Sequence, residues 1–296
     1  MNSREKGFLL LTSHLGDPSR RPLKAAQLRT LTMRMAAVSW ENLDRELELQ
    51  DLKDLGYRDE QALRILQLLE EDALLERYLQ GGEAAGCTAV SRVGEYYPMA
   101  VRNLLGGEAP GCLWMKGDLS LLSRPKVALV GSRELEAEHA AFAKAVGRQA
   151  ARQGYVLVSG NARGADRTAQ DSCLEAGGSV ISVVADQLTR QPCGENILYI
   201  SEEGYELPFS AARALSRNRL IHCMGLRTFV ARCTLGHGGT WSGTFSNLKR
   251  GWTPVFCFRD GSAGSLELEK MGASLISVDE LNNFETILGT QISLFD

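Results

Sequence analysis

Apolar side chains recur three and four positions apart through the first 80 residues, the period of amphipathic helices. This spacing predicts three helices, over residues 23–37, 40–49 and 60–79. A turn is predicted over 51–57, and a linker over the glycine-rich residues 81–86. We therefore expect a helical domain over 1–82, of the helix-hairpin type, followed by a linker and lead-in over 83–125.

From residue 126 the pattern changes to short apolar, β-branched runs that alternate with helical segments. Strands are predicted over 127–130, 156–159, 180–185, 228–231, 254–258 and 274–278, and helices over 137–153 and 165–176. Such alternation indicates βαβ units, whose parallel sheet is covered by helices on both faces. The predicted fold class is α/β, with a Rossmann-like sheet over 126–280 and a tail over 281–296.

Composition is that of a globular protein, with 44% hydrophobic and 23% charged residues among 296. The longest apolar runs are far shorter than the roughly 20 residues that a transmembrane helix needs, and no signal-peptide pattern opens the chain. The seven cysteines are scattered, without a Cys-x-x-Cys pair. We therefore expect a cytoplasmic protein without a disulfide framework, a metal site or a membrane anchor.

Charge is unevenly distributed along the chain. Residues 126–260 contain 16 Lys/Arg and 12 Asp/Glu, whereas the rest of the chain contains 17 and 24. A basic middle between acidic flanks indicates a local anion site rather than a generally basic surface.

Two predicted strands end in loops that suit an anion. The first leads into Gly131, Ser132 and Arg133, and the second into residues 159–166. Glycine allows a backbone to approach a phosphate, and free amides at a helix start point towards it. The spacing matches neither a dinucleotide fingerprint nor a Walker loop, so no nucleotide cofactor is expected. Alternatively, the glycines serve tight turns and the arginines are solvated.

Two later segments reach the same edge of the predicted sheet. In residues 213–221, Arg213 and Arg217 are four apart and share a helix face, whereas Arg219 lies roughly 200° further round. Residues 237–244 follow another strand and offer backbone amides, hydroxyl groups and the Trp241 indole. A solvated basic face is the alternative for the arginine cluster.

Together these segments resemble the DprA family of DNA-processing proteins, also called Smf. The resemblance rests on 126–133 with its Gly-Ser-Arg end, on 159–166, and on Arg-Asn-Arg within 216–221. The stretches 96–118 and 251–258 are also similar, so the resemblance covers about 90–260.

The resemblance implies a Rossmann-like domain that binds single-stranded DNA, forms a homo-oligomer and helps to load the RecA recombinase. It assigns the DNA site to Gly131, Ser132, Arg133, Gly160, Ala162, Arg163, Gly164, Asp166, Arg217, Asn218, Arg219, Gly239 and Thr240. Loss of Arg163 or Arg217 is expected to weaken DNA binding without unfolding the protein.

The chain departs from the family pattern at several positions. Asn161 and Ala165 replace Leu and Ile, and Gln170 stands where His is usual. The Tyr-Pro-Lys-x-Asn element is reduced to residues 191–196, without its lysine, and no winged-helix pattern follows residue 260. We therefore expect the anion site to be retained, and the resemblance implies RecA loading less strongly than DNA binding.

Two other functions stay open at this point. Nucleotide phosphoribohydrolases of the Lonely-Guy type share the superfamily and place a catalytic glutamate after Gly-Gly-x-Gly-Thr, but here Asn247 stands where that acid is needed. Binding of a free nucleotide is the other alternative. Asp166, Asp186 and His237 are interpreted as structural or solvated groups, so no catalytic residue is assigned.

The last residues of the chain resemble a sliding-clamp peptide. Gln291, Leu294 and Phe295 belong to Gln-Ile-Ser-Leu-Phe, in which an amide and two adjacent apolar anchors could enter a groove on the clamp. A tail that folds back onto the core, or frays, is the alternative.

Overall fold

The computed structural model describes residues 1–39 and 46–287, and in this part of the chain nine strands form one sheet. The strands are β1 (Thr88–Ser91), β2 (Cys112–Gly117), β3 (Lys126–Val130), β4 (Val156–Ser159), β5 (Ser179–Val183), β6 (Ile197–Ser201), β7 (Thr228–Val230), β8 (Val255–Phe258) and β9 (Ser274–Ile276). Their order across the sheet is β1-β2-β6-β5-β4-β3-β7-β8-β9. The β1–β2 and β2–β6 pairs are antiparallel, and the other pairs are parallel.

Eleven α-helices accompany the sheet within the described residues. They are α1 (Ser3–Thr12), α2 (Ala25–Ala36), α3 (Leu49–Asp54), α4 (Asp59–Leu69), α5 (Asp72–Ala84), α6 (Met99–Leu105), α7 (Ala137–Arg152), α8 (Ala165–Glu175), α9 (Ala211–Met224), α10 (Gly238–Arg250) and α11 (Ala263–Lys270). None of the helices in the described ranges is long and apolar enough to cross a membrane.

Helices cover both faces of the sheet because its central strands are apolar on both sides. In β3, Val127 and Leu129 join a cluster with residues of α7 and α8, whereas Ala128 and Val130 join one with residues of α9. The predicted α/β fold with a largely parallel, doubly covered sheet is confirmed.

Six of the nine strands were predicted, and three were missed. The segment expected as a linker and lead-in, 83–125, contributes β1 and β2 to the sheet, and β6 was also missed. β1 has only four residues and β2 carries Lys116 and Gly117, so neither shows a long β-branched run. The division of the chain into domains near residues 82, 125 and 280 stays a prediction.

The helix predicted over 60–79 is wrong, because the segment forms two helices, α4 and α5. The buried guanidinium of Arg20 lies at the break, where its Nη2 donates to the Leu68 carbonyl oxygen at 3.2 Å. Arg20 also pairs with the Glu71 carboxylate. The interruption therefore coincides with contacts from a residue about 50 positions earlier, which helical spacing does not reveal.

Two further local predictions need correction. Helix α3 occupies most of the turn expected at 51–57, leaving the turn at Gly56, whose φ is +83°. Helix α5 runs through Gly81 and Gly82, at the expected linker. Most of the helix predicted over 40–49 lies outside the described residues, and helix α1 was not predicted.

Candidate functional site

A pocket of about 460 Å³ lies at the carboxyl edge of the sheet, where the loops after β3, β4 and β7 meet. Helices α8, α9 and α10 all begin around it. The structure brings nine of the predicted site residues into its wall: Gly131, Ser132, Arg133, Ala162, Asp166, Arg217, Asn218, Gly239 and Thr240. The prediction that separate loops converge at one edge therefore holds for these residues.

The loops after β3 and β4 interlock through two glycines. A Cβ on Gly131 would lie 2.4 Å from the Cβ of Ala165, so the start of α8 packs directly on the end of β3. Gly164 has φ +89°, and its Cβ would lie 2.4 Å from the Arg133 carbonyl oxygen. Gly164 therefore serves backbone packing beside the pocket, and a side chain there would strike the neighbouring loop.

Two helix amino-termini lie at the pocket, and the start of α10 supplies backbone amides to it. Helix α8 begins after Gly164 and helix α10 after His237, and neither has a side-chain hydrogen bond at its N-cap. In α8, however, the Ala165 and Arg167 amides donate to the carbonyl oxygens of Ser132 and Ala162. The first-turn amides of a helix have no partner within the helix, and the helix dipole adds positive potential there. Gly239 and Thr240, in the first turn of α10, line the pocket. This arrangement suits a phosphate or carboxylate.

Arg217 of α9 forms the rear wall of the pocket. Its Nη2 donates to the Gly160 carbonyl oxygen at 2.7 Å and lies 3.9 Å from Oδ2 of Asp166. Its Nη1 donates to Oδ1 of Asn218 at 3.0 Å. A Cβ on Gly160 would lie 1.8 Å from Nη1, so only glycine allows this approach. Arg217 is 7% exposed and joins the β4 loop to α9.

Asp166 is the buried counter-charge of Arg217. The Ala162 amide donates to its Oδ2 at 3.3 Å. Burial raises the pKa of the Asp166 carboxyl, and the Arg217 guanidinium limits that rise. The interpretation of Asp166 as an arginine-pairing aspartate agrees with this geometry.

Asn218 extends the network to α10. Its Nδ2 donates to the Gly239 carbonyl oxygen at 2.9 Å, so the first turn of α10 is tied to α9. The Arg217–Asn218 pair thus connects the loop after β4, helix α9 and the first turn of α10. A site held in this way is preorganised, because its donors keep their positions before a ligand arrives.

Two exposed arginines flank the mouth of the pocket. Arg163 has no hydrogen-bond or ion-pair partner within residues 1–39 and 46–287. The Arg133 guanidinium lies 5.8 Å from the ring centre of Phe209, and Phe209 is 53% exposed. Phe209 was not predicted as a site residue; the available signal was an aromatic residue between Pro208 and Ser210, just before the Arg-Asn-Arg helix.

Arg219 does not reach the pocket. Its Nη2 pairs with the Glu202 carboxylate at 2.6 Å, and its Nη1 donates to the Glu108 carbonyl oxygen at 2.7 Å. It lies roughly 200° around α9 from Arg217, so the two cannot face one ligand. Gly160, Arg163 and Gly164 are next to the pocket rather than in its wall. The predicted tail residues Gln291, Leu294 and Phe295 lie outside the described residues.

Asn247, at the position where a hydrolase would need an acid, lies away from the pocket. It is fully buried, and its Nδ2 is 3.1 Å from both His222 Nδ1 and Thr253 Oγ1. The residue therefore organises the interior between α9 and α10.

A second cavity, of about 470 Å³, lies between α2 and α4. Its wall includes Arg34, stacked 4.6 Å from the Tyr57 ring centre, and Arg64, which donates to the Arg21 carbonyl oxygen at 2.7 Å. This cavity shares no lining residue with the pocket at the sheet edge and contains none of the predicted site residues.

One group of potential metal ligands occurs in the described part of the chain: Glu136, Glu138 and His139. Glu136 pairs with Arg232 at 3.0 Å, and Nε2 of His139 lies 3.0 Å from Oδ2 of Asp260. Two of the three groups already have polar partners, so this cluster is interpreted as structural.

Comparison with known proteins gives consistent matches. The family model described as DNA recombination-mediator protein A matches residues 88–285. The DNA processing protein DprA of Streptococcus pneumoniae is 30% identical over 209 residues, which cover 67% of this chain and 71% of that protein.

Two solved structures are also similar. DNA processing protein A from Streptococcus pneumoniae matches with a TM-score of 0.71 and 25% identity, covering 95% of this chain and 97% of that one. DNA processing protein A from Helicobacter pylori, whose structure addresses the single-stranded DNA binding mode of that protein, matches with a TM-score of 0.58 and 25% identity. The latter match covers 67% of this chain and 94% of that one.

Proposed function

Because the chain belongs to the family of DNA recombination-mediator protein A, also known as DprA or Smf, we propose that it binds single-stranded DNA as a recombination mediator. The strand is held by its phosphates in the pocket at the carboxyl edge of the sheet. The observation that carries this proposal is the convergence of the uncapped amino-terminus of α10 and the Arg217 guanidinium on one pocket.

Preference for a single strand is supported by the surface beside the pocket. Phe209 and the Arg133 guanidinium present an exposed aromatic ring and a planar cation within 5.8 Å of each other. Unpaired bases stack on such groups, whereas bases in a duplex are stacked on one another. Arg163 adds an exposed cation for the backbone.

Binding rather than hydrolysis is favoured by the state of the acidic groups. Asp166, the carboxylate in the described wall of the pocket, is buried against Arg217. The hydrolase alternative needs a catalytic carboxylate that can reach the substrate, whereas the exposed titratable side chains in the wall are His237 and Arg133. Asn247, buried elsewhere, cannot supply one.

A free nucleotide is the second candidate ligand. The volume of about 460 Å³ falls within the roughly 300–1,000 Å³ of small-molecule sites. The same amides that hold a DNA phosphate would hold the phosphate of a mononucleotide. The two ligands differ in length and in the number of phosphates that they present.

Other proposed partners rest on the family resemblance or on sequence alone. Loading of a RecA-type recombinase, assembly into a homo-oligomer and a cytoplasmic location remain predictions. Engagement of a sliding clamp through Gln291, Leu294 and Phe295 is also a prediction.

The test is fluorescence anisotropy with a labelled oligo-dT at two salt concentrations, with unlabelled duplex, AMP and ATP as competitors. We expect oligo-dT to bind, to be displaced by unlabelled oligo-dT far better than by duplex, and to bind less tightly at higher salt. Displacement by AMP at concentrations as low as those of oligo-dT would favour the nucleotide alternative. Absence of oligo-dT binding would contradict the proposal.

A further inference from the structure

The segment 203–209 joins β6 to α9 and is held by the helical part of the chain. The Tyr78 hydroxyl of α5 donates to Oε2 of Glu206 at 2.6 Å. The Tyr205 hydroxyl donates back to the Tyr78 carbonyl oxygen at 3.2 Å. Burial and the Glu206 carboxylate raise the pKa of Tyr78, so its hydroxyl keeps the proton that it donates.

Close packing reinforces these hydrogen bonds. The ring centres of Tyr78, Trp114 and Tyr205 lie 4.7–5.1 Å apart. A Cβ on Gly82 would lie 2.5 Å from the Trp114 ring, and one on Gly81 would lie 2.6 Å from the Tyr205 hydroxyl oxygen. The two glycines in α5 therefore allow this helix to lie against the aromatic rings. The contact joins α5, β2 and the 203–209 segment.

Arg213 of α9 binds the same segment through several polar contacts. This guanidinium donates to the carbonyl oxygens of Leu207 at 3.0 Å and Pro208 at 2.8 Å, and its Nε pairs with Glu203 at 3.2 Å. It also donates to the Ala185 carbonyl oxygen, at the end of β5, at 3.1 Å. Arg213 precedes Arg217 by one helical turn, and Phe209 ends the segment.

We infer that helix α5 is a positioning element for the pocket. Through Tyr78 and Glu206 it holds the 203–209 segment in place. That segment in turn positions Phe209 and, through Arg213, the neighbouring Arg217. This role rests on the proposed function. The helical part of the chain would then have a function other than direct contact with DNA, because α5 would fix the start of α9, the helix that carries Arg217.

The test uses three single substitutions in the full chain. Tyr78→Phe removes the donor and keeps the ring, Glu206→Ala removes the acceptor, and Glu206→Gln keeps an acceptor oxygen. We expect the first two to weaken oligo-dT binding roughly fivefold, within the range of residues that act through coupling. Glu206→Gln should restore most of the affinity. Tyr155→Phe, which removes a phenolic hydroxyl at the amino end of β4, is the control.

Two readouts separate positioning from direct contact and from simple loss of stability. The slope of log affinity against log salt should stay at the wild-type value, because no phosphate contact is lost. In protein labelled with 5-fluorotryptophan, the fluorine NMR signal of Trp114 is identified by its absence in Trp114→Phe. This signal should shift on addition of oligo-dT, although Trp114 is only 1% exposed. Tyr78→Phe should reduce that shift.

The outcomes distinguish this inference from the proposed function. If the wild-type protein binds oligo-dT and the Tyr78→Phe and Glu206→Ala variants bind equally well, the positioning role is wrong and the proposed function stands. A flatter salt slope in either variant would indicate direct DNA contact and also overturn the inference. If Tyr78→Phe does not fold, the comparison of Glu206→Ala with Glu206→Gln decides. A wild-type protein that does not bind oligo-dT refutes the proposed function itself.

Discussion

The guanidinium of Arg217 lies against the backbone of Gly160, with Nη2 donating to the Gly160 carbonyl oxygen at 2.7 Å. The arginine is therefore both a wall of the anion pocket and the connection between the β4 loop and α9. Its charge is partly balanced by Asp166, which leaves positive potential for a phosphate while keeping the guanidinium fixed. A ligand meets donors that are already in place, so little ordering of side chains opposes binding.

Arg217→Ala is expected to reduce stability as well as DNA binding, and the expectation from sequence that the protein does not unfold stays a prediction. It would leave the buried Asp166 carboxylate without its partner, a change that typically costs about 3–5 kcal/mol. The measurement is chemical denaturation, and adding Asp166→Asn should recover part of the loss. An unchanged unfolding midpoint for Arg217→Ala would show that the pair does not stabilise the fold.

Arg163→Ala is expected to weaken oligo-dT binding without a change in thermal stability, because Arg163 is exposed and has no polar partner within the described ranges. Loss of one phosphate contact should reduce the magnitude of the slope of log affinity against log salt by about 0.7. Arg152→Ala, at the exposed end of α7 away from the pocket, is the matched control. Equal slopes for the two variants would remove Arg163 from the site.

Phe209→Ala is expected to lower affinity for oligo-dT by about 1–3 kcal/mol, the usual cost of losing a base-stacking ring. Phe209 is 53% exposed, so the fold should be almost unaffected. Leu226→Ala, which removes a 57% exposed apolar side chain at the opposite edge of the sheet, is the control. Wild-type affinity in the Phe209 variant would show that bases do not stack there.

Protein stability is expected to fall as the pH drops below about 6.5, in part because of His222. Its ring is fully buried, and burial lowers its pKa to about 3. The unfolded chain, with an ordinary histidine pKa of about 6.5, takes up the proton first, so protonation favours unfolding by up to about 1.4 kcal/mol per pH unit. This contribution is complete above pH 6.5 and is lost progressively as the pH falls towards 3.

The measurement is the unfolding free energy from pH 7 to pH 4.5 for wild type, His222→Gln and His237→Gln. His222→Gln should have a lower stability at pH 7 but a shallower pH dependence. His237 is exposed, and its substitution should leave the wild-type pH dependence in place. Parallel curves for wild type and His222→Gln would contradict the prediction.

The central strands could be predicted because a parallel strand covered on both faces has a largely continuous apolar sequence, as in residues 127–130 and 156–158. Strands β1 and β2 could not, because they pair antiparallel at one end of the sheet and their segments are short or interrupted. The break between α4 and α5 could not be predicted either, because the Arg20 side chain that contacts it belongs to a distant part of the sequence.

Within the site, the sequence indicated which loops meet, and helical spacing indicated that Arg217 and Arg219 point apart. The family motif nevertheless assigned both to the DNA site, whereas one lines the pocket and the other pairs with Glu202. The resemblance assigned Gly164 to the DNA site, and in the structure its missing Cβ also leaves room for the Ser132 and Arg133 carbonyl groups. Such contacts follow from tertiary packing, which motif spacing does not encode.

The most direct test of the central claim is hydrogen–deuterium exchange of the wild-type protein with and without oligo-dT. The pocket model predicts slower exchange in three segments, 131–134, 160–167 and 237–242, which contain the loops and helix starts around the pocket. The opposite edge of the sheet, at 153–155 and 225–227, should exchange at the same rate in both samples. Protection confined to residues 1–39, or to any surface that excludes the three pocket segments, would contradict the claim that the sheet edge holds the DNA.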